Sequence, residues 1–468
     1  MGRERKIFRK AFVVIGDIVC IFLGYIAAYR LRFGTLGGGS EIFPPSFLVL
    51  LFFGYLAVYY FSDLYSFPLH YRGAALFFQI ALATVFAAAF ISLLKYIFFL
   101  FPIGRGILLI ANVLIVLFIF GWRHLGHAAF NILIKPQPVM IVGAGAAASA
   151  IGKIIEDRPQ EFLLSGYIED PAASVGSGAA VDGKKILGSA GDLQKIIAQR
   201  EIDLIILSES APQSELLTQG LLQAQLKAIE VVGFAEMYER LTGKISISHI
   251  DDENWFIKTK GFNVANNHVI NRLKRSIDFL LAAIALIISL PAWPFIALLI
   301  RLDSKGPIFY SQERIGEKES IFSLYKFRSM IKGAEEVEPL WARENDPRIT
   351  HVGRLLRRFH LDEIPQLWNI LRGEMSLVGP RPERPEFVET LKKDIPYYSL
   401  RHFVKPGLSG WAQINYPYAA SLADSQEKLE YDLYYISHMS LLLDANIILR
   451  TARNLLVGRP GRAKSASA

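Results

Sequence analysis

The chain has 468 residues, 52% of them apolar, a single cysteine (Cys20) and a formal net charge of +8, which suggests about three domains at ~150 residues each and an apolar content high for a soluble protein. One cysteine excludes an intrachain disulfide, so nothing points to an oxidising compartment. The positive charge fits nucleic acid, anionic lipid or phosphorylated substrates; without an aromatic-basic RNA motif or a zinc-finger spacing, nucleic acid is set aside in favour of membrane lipids and phosphates.

The N-terminus, MGRERKIFRK, is basic and is followed by an apolar run from Ala11 to about Ala28. No signal-peptide cleavage site follows it, and further apolar runs cover Phe47 to Phe61, Ala75 to Phe101 and Ile107 to Trp122. Each is near the ~20 residues a bilayer requires, the second being short. Residues 1–135 therefore read as a four-span transmembrane domain. The basic N-terminus and Arg123, His124, His127 and Lys135 after the last run place both ends in the cytoplasm by the positive-inside rule, with Arg30, Arg32 and Arg105 on the opposite side. Asp17 and Lys95 lie inside apolar runs and either pair within the bundle, the preferred reading, or line a path.

Pro136 and Pro138 punctuate the exit from the membrane. A β-branched run, Val139 to Val142, then leads through Gly143 and Gly145 into a helical pattern, the context a dinucleotide fingerprint needs. The strand GYIED ends in Glu169 and Asp170, at the spacing of a ribose-binding acid. IDLIILS reads as a buried parallel strand, followed by a helix from Gln213 to Lys227 and the strand AIEVVGF. Residues 136–244 thus read as a Rossmann-like domain with a possible nucleotide site at Gly143 and Gly145. No Tyr-x-x-x-Lys pair of a sugar-nucleotide dehydratase follows, and a structural or regulatory role is preferred. Residues 245–271 are polar and irregular and read as a linker, with Asp251, Asp252 and Glu253 in a solvated turn.

A second apolar run, Ile277 to Ile300, is long enough to cross a bilayer. It carries Arg272, Lys274 and Arg275 before it and Arg301 and Lys305 after it, which suits a crossing helix poorly. Pro291 and Pro294 sit in its middle, and each removes a helical hydrogen bond. The pattern predicts a helix–break–helix over about 275–302 that dips into one leaflet and returns, with the break at Pro291, an ordinary fifth span being the alternative. Basic motifs follow, SQERIG with Arg314 and YKFRSM with Lys326 and Arg328, and then an amphipathic stretch, RITHVGRLLRRFHL.

Asp362 and Glu363 come next, between Arg354, Arg357 and Arg358 on one side and Arg381 and Arg384 on the other. Pro365 disfavours the α conformation at Ile364. Proline is tolerated in a first helical turn, so the pattern predicts a helix starting near Asp362 and running through Ile370, with both acids at its positive end. Acids there are commonly caps, but converging arginines suit bidentate phosphate contacts. Further on, Pro406, Gly407 and Gly410 predict a turn with Trp411 near the membrane interface. Two amphipathic helices follow, Gln426 to His438 and then LLLDANIILRTARNLLV.

LDEIPQLWNILRGEMSLVGPRP resembles the signature of the bacterial sugar transferases, the polyprenyl-phosphate sugar-1-phosphate transferases that start polysaccharide assembly. SKGPIFYSQERIG, YKFRSM and KPGLSGWAQINYPY extend the resemblance over the catalytic module, residues 272–468, and the plan of the whole chain is similar to the long members of the exopolysaccharide subgroup. The fold so implied is a membrane α-helical bundle plus an α/β Rossmann-like accessory domain plus an α/β catalytic module with a re-entrant membrane helix. The usual Ser-Pro break of that helix is replaced here by Leu290-Pro291, with Ser289 one place early.

The resemblance implies transfer of a sugar-1-phosphate from a UDP-sugar to undecaprenyl phosphate, with UMP released, at the cytoplasmic face of the bacterial inner membrane. Asp362 matches the nucleophile, Glu363 the ligand of a Mg²⁺, and Arg357 and Arg381 the phosphate-binding arginines; the order of Arg314, Lys326 and Arg328 before them adds phosphate or nucleotide contacts. The long members imply a homodimer. A membrane-tethered NAD-dependent dehydratase or epimerase and a non-catalytic scaffold of a polysaccharide machine stay open as alternatives.

Overall fold

The chain opens with apolar helices α1 (Gly2–Phe33), α2 (Pro45–Phe61), α3 (Ala74–Phe98) and α4 (Arg105–Leu133). The computed structural model describes residues 2–34, 45–62, 64–65, 74–98, 104–133, 136–143, 145–169, 186–208, 214–248, 268–331, 347–416 and 421–457. It divides into two units, Met1–Met237 and Tyr238–Ala468.

Ala11–Phe33 and Arg105–Gly126 are long and apolar enough to cross a membrane, whereas Leu48–Tyr60 and Leu76–Ser92 are shorter apolar helices. Ile21, Leu51, Ile80 and Ile115 bring the four helices onto one core. Polar groups inside it are paired: the Tyr55 hydroxyl donates to Asn112 Oδ1 at 2.7 Å, and the Tyr59 hydroxyl meets Thr84 Oγ1 at 2.7 Å. Asp17 is buried and takes its partner from Arg123, at 2.5 Å to NH2 and 3.3 Å to Nε. The NH1 of Arg123 donates to the Leu64 carbonyl at 2.6 Å. Arg123, counted in the sequence as a cytoplasmic marker, thus closes the bundle from inside, while the Lys95 side chain lies outside the described residues.

The rest of this unit is a parallel sheet of β1 (Gln137–Val142), β2 (Phe162–Glu169), β3 (Ile186–Ser189), β4 (Leu204–Leu207) and β5 (Glu230–Gly233), in the order β3-β2-β1-β4-β5. Helices α5 (Ala146–Glu156), α6 (Leu193–Arg200) and α7 (Glu215–Leu226) connect the strands. Covered parallel strands read as continuous apolar runs, which is why β1 and β4 were visible in sequence; the four-residue edge strand β3 was not. Gly143 ends β1 at φ +110°, a conformation that favours glycine, and Gly145 is the N-cap of α5. Glu169 ends β2, and Asp170 lies outside the described residues.

Helix α8 (Phe234–Thr242) leads into the second unit. Ile245 and Ile247, read as the start of a linker, are buried there: the Ile245 amide donates to the Glu430 carbonyl at 3.1 Å and the Ile247 amide to Glu430 Oε1 at 3.1 Å. The Asp251–Glu253 cluster lies outside the described residues. Next come α9 (His268–Ser289), a tight 3₁₀ turn over Leu290–Ala292, and α10 (Trp293–Asp303). Pro291 and Pro294 remove two amide donors at this break. The Ser289 hydroxyl, one place early, still serves it: it donates to the Leu286 carbonyl at 2.8 Å and accepts the Trp293 indole N–H at 3.2 Å.

The hairpin β6 (Phe309–Ile315) and β7 (Ile321–Phe327) is the platform for both helices. Ala282 of α9 packs with Leu324, Leu367 and Ile370, while Ile296 and Ile300 of α10 pack with Phe327 and Leu356. The remaining helices are α11 (His351–Arg358), α12 (Gln366–Arg372), α13 (Pro385–Asp394), α14 (Trp411–Asn415), α15 (Leu422–Ser437) and α16 (Leu441–Val457). A short parallel pair, β8 (Ser376–Val378) and β9 (Gly407–Ser409), runs among them. Trp411, expected near a membrane interface, instead donates its indole N–H to the Gly243 carbonyl at 2.9 Å and stacks on Tyr434. An indole carries one donor that burial must satisfy, and the 238–248 strap supplies the acceptor.

Removing one member of a buried ion pair leaves the other charge uncompensated. Asp17→Leu or Arg123→Leu is therefore expected to cost about 3–5 kcal/mol, and the double variant to recover part of the loss. Thermal unfolding of the detergent-solubilised protein reads both; equal losses in the single and double variants would contradict the pairing.

Candidate active site

Asp362 and Glu363 sit in a single 3₁₀ turn, Leu361–Glu363, and not in the first turn of an α-helix as the sequence predicts. Helix α12 begins later, at Gln366, with Pro365 as its N-cap. Ile364 nevertheless takes helical angles, φ −54° and ψ −40°. The tight turn tolerates this because it is closed by i→i+3 bonds, from the Glu363 amide to the His360 carbonyl at 3.2 Å and from the Ile364 amide to the Leu361 carbonyl at 3.3 Å. His360 enters the turn in the left-handed region, at φ +53°, which costs a non-glycine residue about 1–3 kcal/mol. Strain of this kind is carried where the neighbouring residues need an unusual aim.

Three elements fix the turn. The Asn369 side chain of α12 accepts the Tyr325 amide at 3.2 Å and donates to the Ser323 carbonyl at 2.7 Å, tying α12 to β7. Arg275 of α9 closes the C-terminus of α12, with NH1 at 2.5 Å from the Ile370 carbonyl and NH2 at 2.7 Å from that of Leu371. Helix α11 approaches the chain after β7 at Gly353, where any side chain would strike the Ser329 backbone.

Glu363 is 9% exposed. Lys326 Nζ of β7 donates to its Oε1 at 3.1 Å, and Arg381 NH2 donates to the same oxygen at 2.7 Å. Burial alone would raise the pKa of this carboxylate, but the charges and hydrogen bonds of Arg381 and Lys326 outweigh it and hold Glu363 far below the usual carboxylate range. Asp362 is similarly buried; there burial and the adjacent Glu363 charge win over Lys326, and its pKa is raised. Burial lowers the pKa of Lys326 against the pull of Glu363, while Glu363 raises that of Arg381. Two neighbouring carboxylates are thus tuned in opposite directions, the pattern of a pair with divided roles.

The acids open into a cleft of about 1330 Å³, and Arg314, Lys326, Arg328, Arg357 and Arg381, picked out in sequence, all line it. Arg357 Nε donates to Ser329 Oγ at 2.8 Å. Arg314 bridges the Pro382 carbonyl at 3.2 Å and Gln312 Oε1 at 2.6 Å. Arg328 commits its NH2 to α10, whose last turn it closes at 3.2 Å to the Ile300 carbonyl and 2.6 Å to that of Ser304. Pro291, at the helix break, and Gly143 and Gly145, in the parallel-sheet region of the other unit, are not among the lining residues.

Among the lining residues that the sequence motifs did not single out are Arg401, Lys428 and Asp432. Arg401 is buried, with NH1 at 2.5 Å from the Tyr398 hydroxyl, NH2 at 3.0 Å from the Arg381 carbonyl and an ion pair to Asp432 at 2.8 Å. Burial pushes Asp432 up to about 6 against the charges of Arg401 and Lys428. Lys428 and Asp432 stand four residues apart on α15, so both fall on one helical face, a spacing that was available as a signal. Arg401 offered none, because its partners are set by tertiary contact.

The family model described as Bacterial sugar transferase matches residues 269–458, which contain the whole cleft. The chain is 39% identical over 238 residues to a UDP-N-acetylgalactosamine-undecaprenyl-phosphate N-acetylgalactosaminephosphotransferase of Aeromonas hydrophila, covering 51% of this chain and 55% of that protein. It is 38% identical over 185 residues to the exopolysaccharide production protein PSS of Rhizobium leguminosarum bv. phaseoli, covering 38% of this chain and 92% of that protein.

The chain belongs to the bacterial sugar transferase family.

A further member similar to it is the UDP-glucose:undecaprenyl-phosphate glucose-1-phosphate transferase of Escherichia coli K12, 42% identical over 185 residues, or 39% of this chain and 40% of that protein. The chain spans about half the length of the Aeromonas relative and two-fifths of the Escherichia one.

Among the described residues no group of three or more carboxylate, imidazole or thiolate ligands converges, so this family member has no closed metal cage there. The donor set fits an ion shared with a substrate. Both cations reach Oε1 of Glu363, and Oε2 has no hydrogen bond among the described residues. One or two carboxylates plus substrate phosphates and water is the usual way Mg²⁺ is held.

Arg381→Met removes the largest charge acting on Glu363. A carboxylate with a depressed folded pKa contributes stability above its unfolded pKa, ~4.3, and loses it as the pH falls toward the folded value. The variant is therefore expected to melt below the wild type at neutral pH, with the gap narrowing below about pH 4. Melting curves across pH check this; a gap independent of pH would show that Arg381 acts only through packing.

Proposed function

We propose that this chain transfers a sugar-1-phosphate from a UDP-sugar to undecaprenyl phosphate, releasing UMP and starting the assembly of an exopolysaccharide or related glycan. The observation that carries the reading is the buried Asp362–Glu363 pair, one carboxylate raised and the other held ionised by Lys326 and Arg381, inside the segment that matches the family. The named activities of the Aeromonas and Escherichia relatives support the donor and acceptor classes.

The chemistry divides into two displacements. An Asp362 carboxylate oxygen attacks the β-phosphorus of the donor; the P–O bond to the α-phosphate breaks, and UMP leaves with the electron pair. An oxygen of the lipid phosphate then attacks the same phosphorus, and the Asp362 carboxylate is released. Burial makes the Asp362 anion less well stabilised and hence more nucleophilic, and a carboxylate is also an adequate leaving group, so one difficult step becomes two easier ones. Arg357 and Arg381 hold phosphate oxygens and stabilise transition-state charge, assisted by Lys326, Arg314 and Arg328. Mg²⁺ bound between Glu363 and substrate phosphate would supply charge neutralisation to the diphosphate.

The helix break at Pro291 supports a re-entrant reading of α9 and α10. Both helices pack on β7, and α10 is capped by Arg328 of the catalytic fold. The pair would hold the cleft at headgroup level on the cytoplasmic face of the inner membrane, where the lipid phosphate and a soluble nucleotide sugar meet. Exposed Leu355 and Phe359, beside Arg354 and Arg358, suit the same surface. The strand order β3-β2-β1-β4-β5 supports a Rossmann-like accessory domain.

Detergent-solubilised protein with Mg²⁺, undecaprenyl phosphate and a panel of UDP-sugars is expected to release UMP, and Asp362→Asn to lower the rate by at least ~10³-fold. Release of UDP instead would indicate plain glycosyl transfer, and unchanged turnover in the variant would sink the nucleophile assignment. The acid limb of kcat/KM is expected above ~3.9, the ordinary aspartate value, because Asp362 must ionise from a raised pKa. A limb below that value would contradict the assignment.

A further inference from the structure

The cleft cations differ in what they already hold. Lys326 and Arg381 share Glu363, Arg357 holds Ser329, Arg328 closes α10, Arg314 spans Pro382 and Gln312, and Arg401 is bound to Tyr398 and Asp432. Lys428 is different. It lines the same cleft and lies in the field of Glu383 and Asp432, yet makes no hydrogen bond or ion pair with the described residues. Burial also disfavours its charge, lowering its pKa. A part-desolvated ammonium with no direct ion-pair partner among the described residues is costly, and an anion entering the cleft relieves that cost.

Which anion follows from the elements involved. Leu281 and Ala285 of α9, together with Phe309, give the cleft an apolar wall, and α9 packs on α12 and β8. Lys428 stands on α15, which packs instead on α13, α14 and the 3₁₀ turn Tyr398–Phe403. The other face of α15 is tied to the strap after α8, through Glu430 and the ion pair of Lys244 with Glu427. The apolar helix α9 suits a polyprenyl chain, so Lys428, on a helix packed on other elements, is left for the soluble substrate.

We propose that Lys428 binds the phosphate next to the nucleoside, the one that departs with the nucleoside monophosphate, and so divides the cleft into a nucleotide arm and a lipid-phosphate arm. The assignment rests on the transfer reading above for its chemistry. When the β-phosphorus–oxygen bond breaks, the electron pair collects on the leaving phosphate, and Lys428 neutralises it. Arg401 acts behind it as a positioning residue, because its NH2 holds the Arg381 carbonyl while the same guanidinium pairs with Asp432 on the helix that carries Lys428.

The test is equilibrium binding of UMP, uridine and undecaprenyl phosphate to the full-length protein in detergent, with Lys428→Gln and Lys428→Arg. Lys428→Gln is expected to weaken UMP by about 10- to 100-fold, the range of a hydrogen bond to a charged group, with uridine and undecaprenyl phosphate unaffected. Lys428→Arg, which keeps the charge if Gln is not tolerated in the fold, is expected to stay within a few fold of wild type. Unchanged UMP affinity in Lys428→Gln, equal weakening of UMP and uridine, or a loss that falls on the lipid phosphate would overturn the assignment. Binding is read without turnover, so the two claims fail separately. Protein that binds UMP through Lys428 but releases none from any UDP-sugar would contradict the transfer reading alone.

Discussion

The candidate site depends on Glu363 staying ionised while buried. A lone carboxylate in that position would take up a proton, because desolvation penalises the anion. Two cations on one oxygen prevent it, and they come from distant places: Lys326 from the hairpin β6–β7 and Arg381 from the loop after β8. The pair also fixes the arginine expected to meet phosphate. Asp362, one residue away, receives less of this compensation and is left as the more basic partner. A single turn of chain thereby presents one carboxylate suited to standing charge and one suited to making a bond.

That turn is held by the apolar helices α9 and α10 as well as by the β6–β7 hairpin. Arg275 of α9 caps α12 directly behind the acids, and Arg328 closes α10 from the end of β7. The same β-hairpin thus carries Lys326, packs both apolar helices and closes the second of them. The Ser289 hydroxyl, displaced by one residue from the usual pattern, retains a role at the break by bonding Leu286 and Trp293.

Much of this was legible in the sequence where the signal is local or carried by ordered motifs. The Asp-Glu pair, Lys326 and, of the flanking arginines, Arg357, Arg381 and Arg384 stand in motifs and line one cleft, whereas Arg354 and Arg358 do not, and the continuous apolar runs gave β1 and β4 of the parallel sheet. Pairings across long sequence separation were not legible. Arg123 looked like a topology marker, and only the fold sets it against Asp17, 106 residues away. Arg401 is a lone arginine in YSLRHF until tertiary contact places it between Arg381 and Asp432. The residues around Asp362 suit an α-helix as well as a tight turn, and the i→i+3 closure and the left-handed His360 decide for the turn. At the start of the 245–271 stretch, Ile245 and Ile247 find an apolar site that their polar neighbours conceal in the sequence.

The central claim is that Asp362 becomes covalently bonded to phosphorus during turnover. The most direct measurement is mass spectrometry of protein quenched after incubation with a UDP-sugar in the absence of undecaprenyl phosphate, with peptide mapping of the modified site. The account predicts a sugar-phosphate adduct on the peptide that contains Asp362, discharged when the lipid phosphate is added. An unmodified Asp362 peptide from a sample that still turns over when the lipid is supplied would contradict it and favour direct attack by the lipid phosphate.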